Sequence, residues 1–198
     1  EKSGLINRIG DWVLQAACRQ LKAWQGTALA NTRIDINLSG KQLNNPQLAD
    51  HILETLTHYE LRPAQLGLEL TENEVFGSDN EHIRQLERLK QAGVHISIDD
   101  FGTGYSSLVY LRKLPVCSIK IDRSFLQHAI SNESDMAIMK AIITVGHTLG
   151  LSVVVEGVET HEQHSIVRNL GCDLAQGYLY ARPMAATRMP IFIEGLDT

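Results

Sequence analysis

Two adjacent carboxylates stand between a hydrophobic strand and a glycine-containing loop. They are Asp99 and Asp100, in the stretch ISIDDFGTGYSSL at residues 96–108. Because side chains alternate along a strand, Asp99 shares the face of Ser97, and Asp100 either shares the face of Ile98 or has already turned into the loop. Like charges this close raise each other's pKa unless a cation lies between them. A hard divalent metal ion would satisfy both, with Asp99 able to bridge two ions, although an isolated pair of acids more often forms a turn or a helix cap.

Further polar residues stand at or near the carboxyl ends of other predicted strands. They are Asn37, Glu69, Lys120, Glu156 and Gln176. Each has a structural explanation of its own, such as an ion pair of Lys120 with Glu69 or Glu156 inside the fold. Together they form a ring at one rim, as in TIM-barrel active sites, whereas a doubly wound sheet gathers its site at one switch point. The oxygen ligands of Asn, Asp and Glu favour Mg²⁺ or Mn²⁺ over zinc.

The elements that must position these residues follow a repeated pattern of strand, polar residue and helix. An amphipathic helix is predicted over residues 5–25. Strands are then predicted at 32–38, 66–72, 94–99, 117–122, 152–156 and 173–178. This alternation predicts an α/β fold with a parallel sheet and right-handed crossovers. A complete TIM barrel has eight strands in about 250 residues, so we expect six strand–helix units here, with the missing pair before residue 1.

Cap and turn residues set the predicted helix bounds. Helices are predicted to begin near Asn45–Pro46, to cover 80–92 and 134–149, to begin at a capping box of Thr160 and Gln163, and to close the chain beyond Pro183. Ser106 or Ser107 is predicted to cap a short helix after the loop.

Composition excludes several classes of protein. The chain has 198 residues, 43% hydrophobic and 21% charged, which is typical of one globular domain. A net charge of −5 argues against non-specific nucleic acid binding, although an anionic nucleotide could bind through metal ions. There is neither an apolar run of about 18 residues nor a signal peptide. The three cysteines lack metal-site spacing and are expected to be reduced, which predicts a cytoplasmic domain, in a parent protein that could be membrane-anchored.

The loop sequence DDFGTGYSSL at 99–108 closely resembles the signature loop of EAL-domain cyclic di-GMP phosphodiesterases. Shorter matches to the same family keep its order and spacing: NLS at 37–39, ELTE at 69–72, KID at 120–122, EGVE at 156–159 and QGY at 176–178. One tripeptide is weak support, but six motifs together are specific. The resemblance covers residues 1–198 and implies a modified TIM (β/α)8 barrel whose two N-terminal strands are missing here.

The resemblance also implies hydrolysis of cyclic di-GMP to linear pGpG with two Mg²⁺ or Mn²⁺ ions. The implied ligands are Asn37, Glu69 and Asp99 for one ion, and Asp99, Asp100 and Glu156 for the other. Lys120 would hydrogen-bond the attacking water or the phosphate, so the implied catalytic residues are Lys120, Glu156, Asp99 and Asp100.

Supporting or substrate-binding roles are implied for Glu72, Gly102, Thr103, Gly104, Asp122, Glu159, Gln176 and Pro183. Glu72 would fasten the loop at 101–107, and Gln176 would orient water or a ligand carboxylate. Asp122 would support the metal-facing side, whereas Glu159 could instead cap the next helix.

The Glu-Ala-Leu motif that names the family is absent from this sequence. In the family it precedes the first helix seen here, its Glu is a metal ligand, and a following Arg contacts substrate. A catalytically inactive cyclic di-GMP receptor is therefore the alternative function, although every ligand that can be inspected is intact. A lyase or aldolase with Lys120 as a Schiff-base amine is weaker, since neighbouring acids favour a protonated lysine. Family members often carry an upstream GGDEF or sensory domain, and the resemblance leaves a homodimer open.

Overall fold

Six short strands, each followed by helix or turn, form the frame of the protein. The computed structural model describes residues 4–76, 80–104, 108–129 and 132–195. The strands are β1 Ile34–Asn37, β2 Leu66–Thr71, β3 His95–Phe101, β4 Ser118–Ile121, β5 Ser152–Val155 and β6 Leu174–Ala175. They are hydrogen-bonded neighbours in chain order, and β1–β2, β3–β4, β4–β5 and β5–β6 are parallel. The predicted parallel sheet and its six strands are confirmed.

Helices occupy the connections between the strands. They are α1 Leu5–Ala23, α2 Gly40–Leu43, α3 Leu48–His58, α4 Glu72–Phe76, α5 Asn80–Ala92, α6 Leu108–Leu111, α7 Arg123–Ala129, α8 Glu133–Thr148, α9 His161–Asn169 and α10 Met189–Glu194. None of these described helices combines the length and the apolar composition that crossing a membrane requires.

The described residues divide into two compact units. The first comprises residues 1–69, 78–96 and 183–198. Its core includes Leu21 of α1, Leu56 of α3 and Leu89 of α5, all buried. Gln85 of α5 is also buried; its amide donates to the carbonyl of Leu43 and accepts the N–H of Ala49. The amide of Gln85 therefore satisfies backbone groups that the packing of α5 would otherwise leave without partners.

The second unit comprises residues 70–77 and 97–182. All four residues of β4 are buried, as are Val153 and Val155 of β5. Helix α8 lies against these strands at Gly146, where an added Cβ would be 2.7 Å from Val153 Cγ2. Glycine is therefore required where α8 approaches the strands this closely. Helix α8 covers one face of β4 and β5.

Several predicted bounds are confirmed by local signals. Helix α5 covers 80–92 as predicted, and Gly93 ends it with φ 104°, a left-handed value that glycine adopts without strain. The capping box of Thr160 and Gln163 is present at the start of α9. The predicted caps Ser106 and Ser107 lie outside the described residues.

Other predicted bounds were wrong for identifiable reasons. Helix α3 begins at Leu48 because Asn45 instead accepts the N–H of Gln47 and closes a turn before the helix. Helices α2 and α7 were not predicted; the side chains of Ser39, in the NLS motif, and of Asp122, in the KID motif, cap them. The predicted second strand ended at 72, whereas Glu72 begins α4.

Candidate functional site

Three carboxylates converge at the carboxyl ends of β3 and β5. Asp99 and Asp100 belong to β3, and Glu156 directly follows β5. One carboxylate oxygen from each lies within 4.8 Å of the other two. The prediction that these acids lie together is thus met by the fold, because strands that run parallel through β4 end at the same edge of the sheet.

A bulge in β3 allows two consecutive residues to contribute to this cluster. The register against β4 shifts between Ile98 and Phe101, and Asp100 has φ 52°, in the left-handed region. Aspartate tolerates this conformation better than most residues, and bulges re-aim side chains beside active sites. Asp100 has therefore left the face of Ile98, which decides between the two orientations that the sequence left open.

Lys120 of β4 is the cation inside this cluster. Its Nζ lies 2.7 Å from Glu156 Oε1 and 2.9 Å from Asp99 Oδ1, and the residue is only 6% exposed. The contact with Asp99 is an ion pair without hydrogen-bond geometry, so this buried Oδ1 has no hydrogen-bond donor among the described residues. Lys120 therefore balances the charge of this oxygen, but the oxygen still accepts no hydrogen bond and could accept a further ligand.

Electrostatics leave the cluster with excess negative charge. Burial raises the pKa of Glu156, and Asp99 and Asp100 add to this, while Lys120 opposes it. Burial likewise raises the pKa of Asp100, reinforced by Asp99 and Asp122 and opposed by Lys120 and Arg123. The donor set consists of hard oxygens, and the Asp99 oxygen lacks a donor. Both features fit a hard divalent cation such as Mg²⁺ or Mn²⁺.

Glu72 holds the loop that follows β3. This carboxylate is buried, and its Oε2 accepts the N–H groups of Gly102 at 2.9 Å and Gly104 at 3.4 Å. The hydroxyl of Thr103 donates to the carbonyl of Asp100. A Cβ on Gly104 would be 2.7 Å from Glu72 Oε1, so glycine permits this approach. The loop is thereby anchored over 102–104, directly after the acids.

Asn37 and Glu69 lie in the first unit; Asn37 ends β1, whereas Glu69 lies two residues before the end of β2. They are partners in the parallel register, and the N–H of Leu38 donates to the Glu69 carbonyl at 2.8 Å. Both side chains are thus placed at one edge of this strand pair. That they share a metal ion with Asp99 stays a prediction.

The comparison with known proteins identifies the family. The family model described as "EAL domain" matches residues 1–183. This chain belongs to the EAL domain family. It is 44% identical over 189 residues to the bifunctional diguanylate cyclase/cyclic di-GMP phosphodiesterase MucR of Pseudomonas aeruginosa, covering 96% of this chain and 28% of that protein. The chain spans about a quarter of the length of the curated relatives that it matches.

Solved EAL structures share its fold. The PaMucR phosphodiesterase in complex with c-di-GMP matches with a TM-score of 0.89 and 44% identity, covering 96% of this chain and 76% of that one. BlrP1 of Klebsiella pneumoniae, solved with c-di-GMP and calcium or manganese, matches with a TM-score of 0.78 and 30% identity, covering 87% of this chain and 44% of that one. These matches confirm the predicted α/β, TIM-type fold class.

Asp122, a predicted supporting residue of this EAL domain, has hydrogen-bond partners of its own and also acts on the pKa of Asp100. Asp122 Oδ1 accepts the N–H and the hydroxyl of Ser124 at the start of α7. Burial acts to raise the pKa of Asp122, but the hydrogen bonds from Ser124 and from the Arg123 backbone, with the Arg123 charge, hold that pKa below its usual value. The alternative that Glu159 caps α9 was wrong, since Thr160 is the N-cap and Glu159 itself is exposed.

Gln176 and Pro183 complete the predicted set. The Gln176 backbone extends the sheet, since its N–H donates to the Val155 carbonyl and its carbonyl accepts the N–H of Val158. Its side chain is therefore presented just beyond β6, next to the residues that follow β5. Pro183 belongs to the first unit.

Sequence reasoning overlooked two residues beside the acids of this EAL domain. Arg123 directly follows the KID motif, and Gly157 directly follows Glu156. Gly157 has φ 73°, and a Cβ there would be 2.4 Å from Arg123 Cβ. Their positions in the sequence could have indicated them, because both residues stand immediately after predicted site residues at the ends of strands.

Proposed function

We propose that this EAL domain hydrolyses cyclic di-GMP to linear pGpG in a reaction that requires divalent metal ions, and so lowers cyclic di-GMP signalling. The observation that carries the proposal is the convergence of Asp99, Asp100 and Glu156 around a buried lysine, with one buried carboxylate oxygen lacking a donor. The names of its relatives support the same substrate.

Asp99, Asp100 and Glu156 would hold one ion, and Asn37 and Glu69 would join Asp99 on a second. When bound, such a pair of Mg²⁺ or Mn²⁺ ions supplies a water nucleophile at neutral pH and stabilises charge on the phosphoryl oxygens. Asn, Asp and Glu side chains provide the oxygen ligands that these ions prefer.

The chain's own residues position and move protons. Lys120 Nζ, fixed between two carboxylates, donates a hydrogen bond to the attacking water or to a phosphoryl oxygen. Glu156, which would also hold a metal ion, lies 2.7 Å from Lys120 Nζ and helps to hold this ammonium in place. The water oxygen would form a new bond to phosphorus as the bond from phosphorus to one ribose oxygen breaks; that oxygen leaves as a hydroxyl, with the proton that the water loses, and the ring opens. Glu72 keeps the loop at 102–104 in place beside the acids.

These residues do not favour the inactive receptor as the alternative function, because each metal ligand that the family requires within this chain is present. We also propose that an upstream GGDEF or sensory domain regulates this domain. A homodimer and a cytoplasmic location are the other parts of this proposal. The bifunctional name of MucR supports the upstream domain.

The test is hydrolysis by the purified protein, with pGpG quantified by chromatography. We expect turnover with Mg²⁺ or Mn²⁺ and none in EDTA. Larger Ca²⁺ tolerates looser geometry and should support binding without turnover. Full activity in EDTA would contradict the metal requirement, and tight binding without hydrolysis in Mn²⁺ would favour the receptor.

A further inference from the structure

The first turn of α7 packs between the two glycine turns that follow the acids. On one side, a Cβ on Gly157 would be 2.4 Å from Arg123 Cβ; on the other, a Cβ on Gly102 would be 2.9 Å from Phe125 Cε2. Both glycines have positive φ, 73° and 97°. Gly157 follows Glu156, and Gly102 lies shortly after the acids of β3. The backbone of Arg123 is therefore fixed at the edge of the carboxylate cluster.

The charge of Arg123 acts on this cluster, but its guanidinium forms no ion pair with the described carboxylates. The side chain is exposed, and its charge acts to lower the pKa of both Asp100 and Asp122. Within residues 4–76, 80–104, 108–129 and 132–195, no hydrogen bond or ion pair uses this guanidinium. The helix dipole also disfavours a cation in the first turn of a helix. Neither an ion pair nor the helix therefore accounts for an arginine at position 123.

We propose that Arg123 is a substrate-positioning residue that binds a non-bridging phosphate oxygen of the cyclic dinucleotide; this rests on the proposed phosphodiesterase function. The substrate carries two anionic phosphodiesters, and the neighbouring carboxylates repel both. The arginine fork matches the geometry of phosphate oxygens, and its five donors are available. Its fixed backbone limits the entropy lost when the side chain binds.

The test compares Arg123→Met and Arg123→Lys with the unmodified protein in steady-state hydrolysis with Mn²⁺. Methionine keeps an unbranched stem against Gly157 and removes the charge. We expect Arg123→Met to raise KM roughly 5- to 30-fold, as for a lost charge-assisted hydrogen bond, with kcat changed by less than about threefold. The dependence of KM on salt should flatten. Arg123→Lys should restore part of the affinity because it restores the charge.

The matched control is Arg168→Met, which makes the same charge change on the exposed last turn of α9 and should leave KM unchanged. If Arg123 only packs against Gly157, Arg123→Met will keep the normal KM and salt dependence, and the assignment is overturned while the proposed function stands. An unmodified protein that neither binds nor hydrolyses cyclic di-GMP overturns both.

Discussion

Lys120→Met is the substitution that tests the carboxylate cluster most directly. Lys120 supplies the single ammonium that contacts both Asp99 and Glu156, at 2.9 and 2.7 Å, and the three side chains are only 8%, 17% and 19% exposed. Methionine keeps the length of the side chain and removes its charge. The three carboxylates would then face one another without an ammonium between Asp99 and Glu156 in metal-free protein.

The expected loss of stability follows from this burial. Removing one partner of a buried ion pair costs about 3–5 kcal/mol. For a domain of this size, each kcal/mol lowers Tm by roughly 2–4 °C, so the metal-free variant should melt about 6–20 °C below the unmodified protein. Mn²⁺ should raise the Tm of both proteins by a similar amount, since a cation that binds only the folded state stabilises it according to its affinity, and the difference between the two proteins should persist.

The pH dependence has a defined sign. Burial already raises the pKa of Glu156 in the folded state, and without Lys120 this pKa should rise further. A carboxyl with a raised folded pKa takes up its proton more readily when folded. Acidification towards that pKa therefore favours the folded state, and the deficit of Lys120→Met should shrink as the pH falls.

The assay combines differential scanning calorimetry in EDTA and in Mn²⁺ with hydrolysis at saturating metal. We expect kcat to fall by roughly 10²–10⁴-fold with metal affinity nearly unchanged, because an ammonium cannot ligate a metal. Lys113→Met, an exposed position of the same unit, is the control for charge alone. A normal kcat with weakened metal binding would refute the catalytic role, and an unchanged metal-free Tm would refute the electrostatic reasoning.

Two other substitutions test the site and the frame. Asp99→Asn replaces the proposed bridging carboxylate with a neutral oxygen and should lower kcat at least ~10²-fold with an unchanged circular dichroism spectrum; near-normal kcat would exclude bridging. Asp173 has a lowered pKa, chiefly because it accepts the N–H of Val153. The charge of Asp173 stabilises the folded state above the unfolded pKa of 3.8, and this stabilisation is lost as the pH falls through the lowered pKa. Asp173→Asn should therefore lower Tm at pH 7 but not in strong acid. An equal loss of Tm at both pH values would exclude a contribution from this charge.

Local sequence signals determined much of this protein. Alternating apolar residues predicted the strands, and Gly93 and the box of Thr160 and Gln163 set helix bounds within a few residues. The carboxylates of β3 and Glu156 were predicted to lie together because polar residues at the ends of parallel strands meet at one edge. These features depend on residues that are close in sequence or on the direction of the strands alone.

The tertiary structure determines features of the site that the hydrophobic periodicity of the sequence does not encode. The bulge at Asp100 depends on the register of β3 against β4, which fixes where the strand leaves its pleat. The choice of Asp99 and Glu156 as the partners of Lys120 depends on which side chains come within 3 Å across neighbouring strands. The position of Arg123 beside the acids depends on the packing of the Gly157 turn against its backbone, a contact that the sequence does not show. An alternating pattern determines the face of a side chain, whereas its partner is determined by distances between residues remote in sequence.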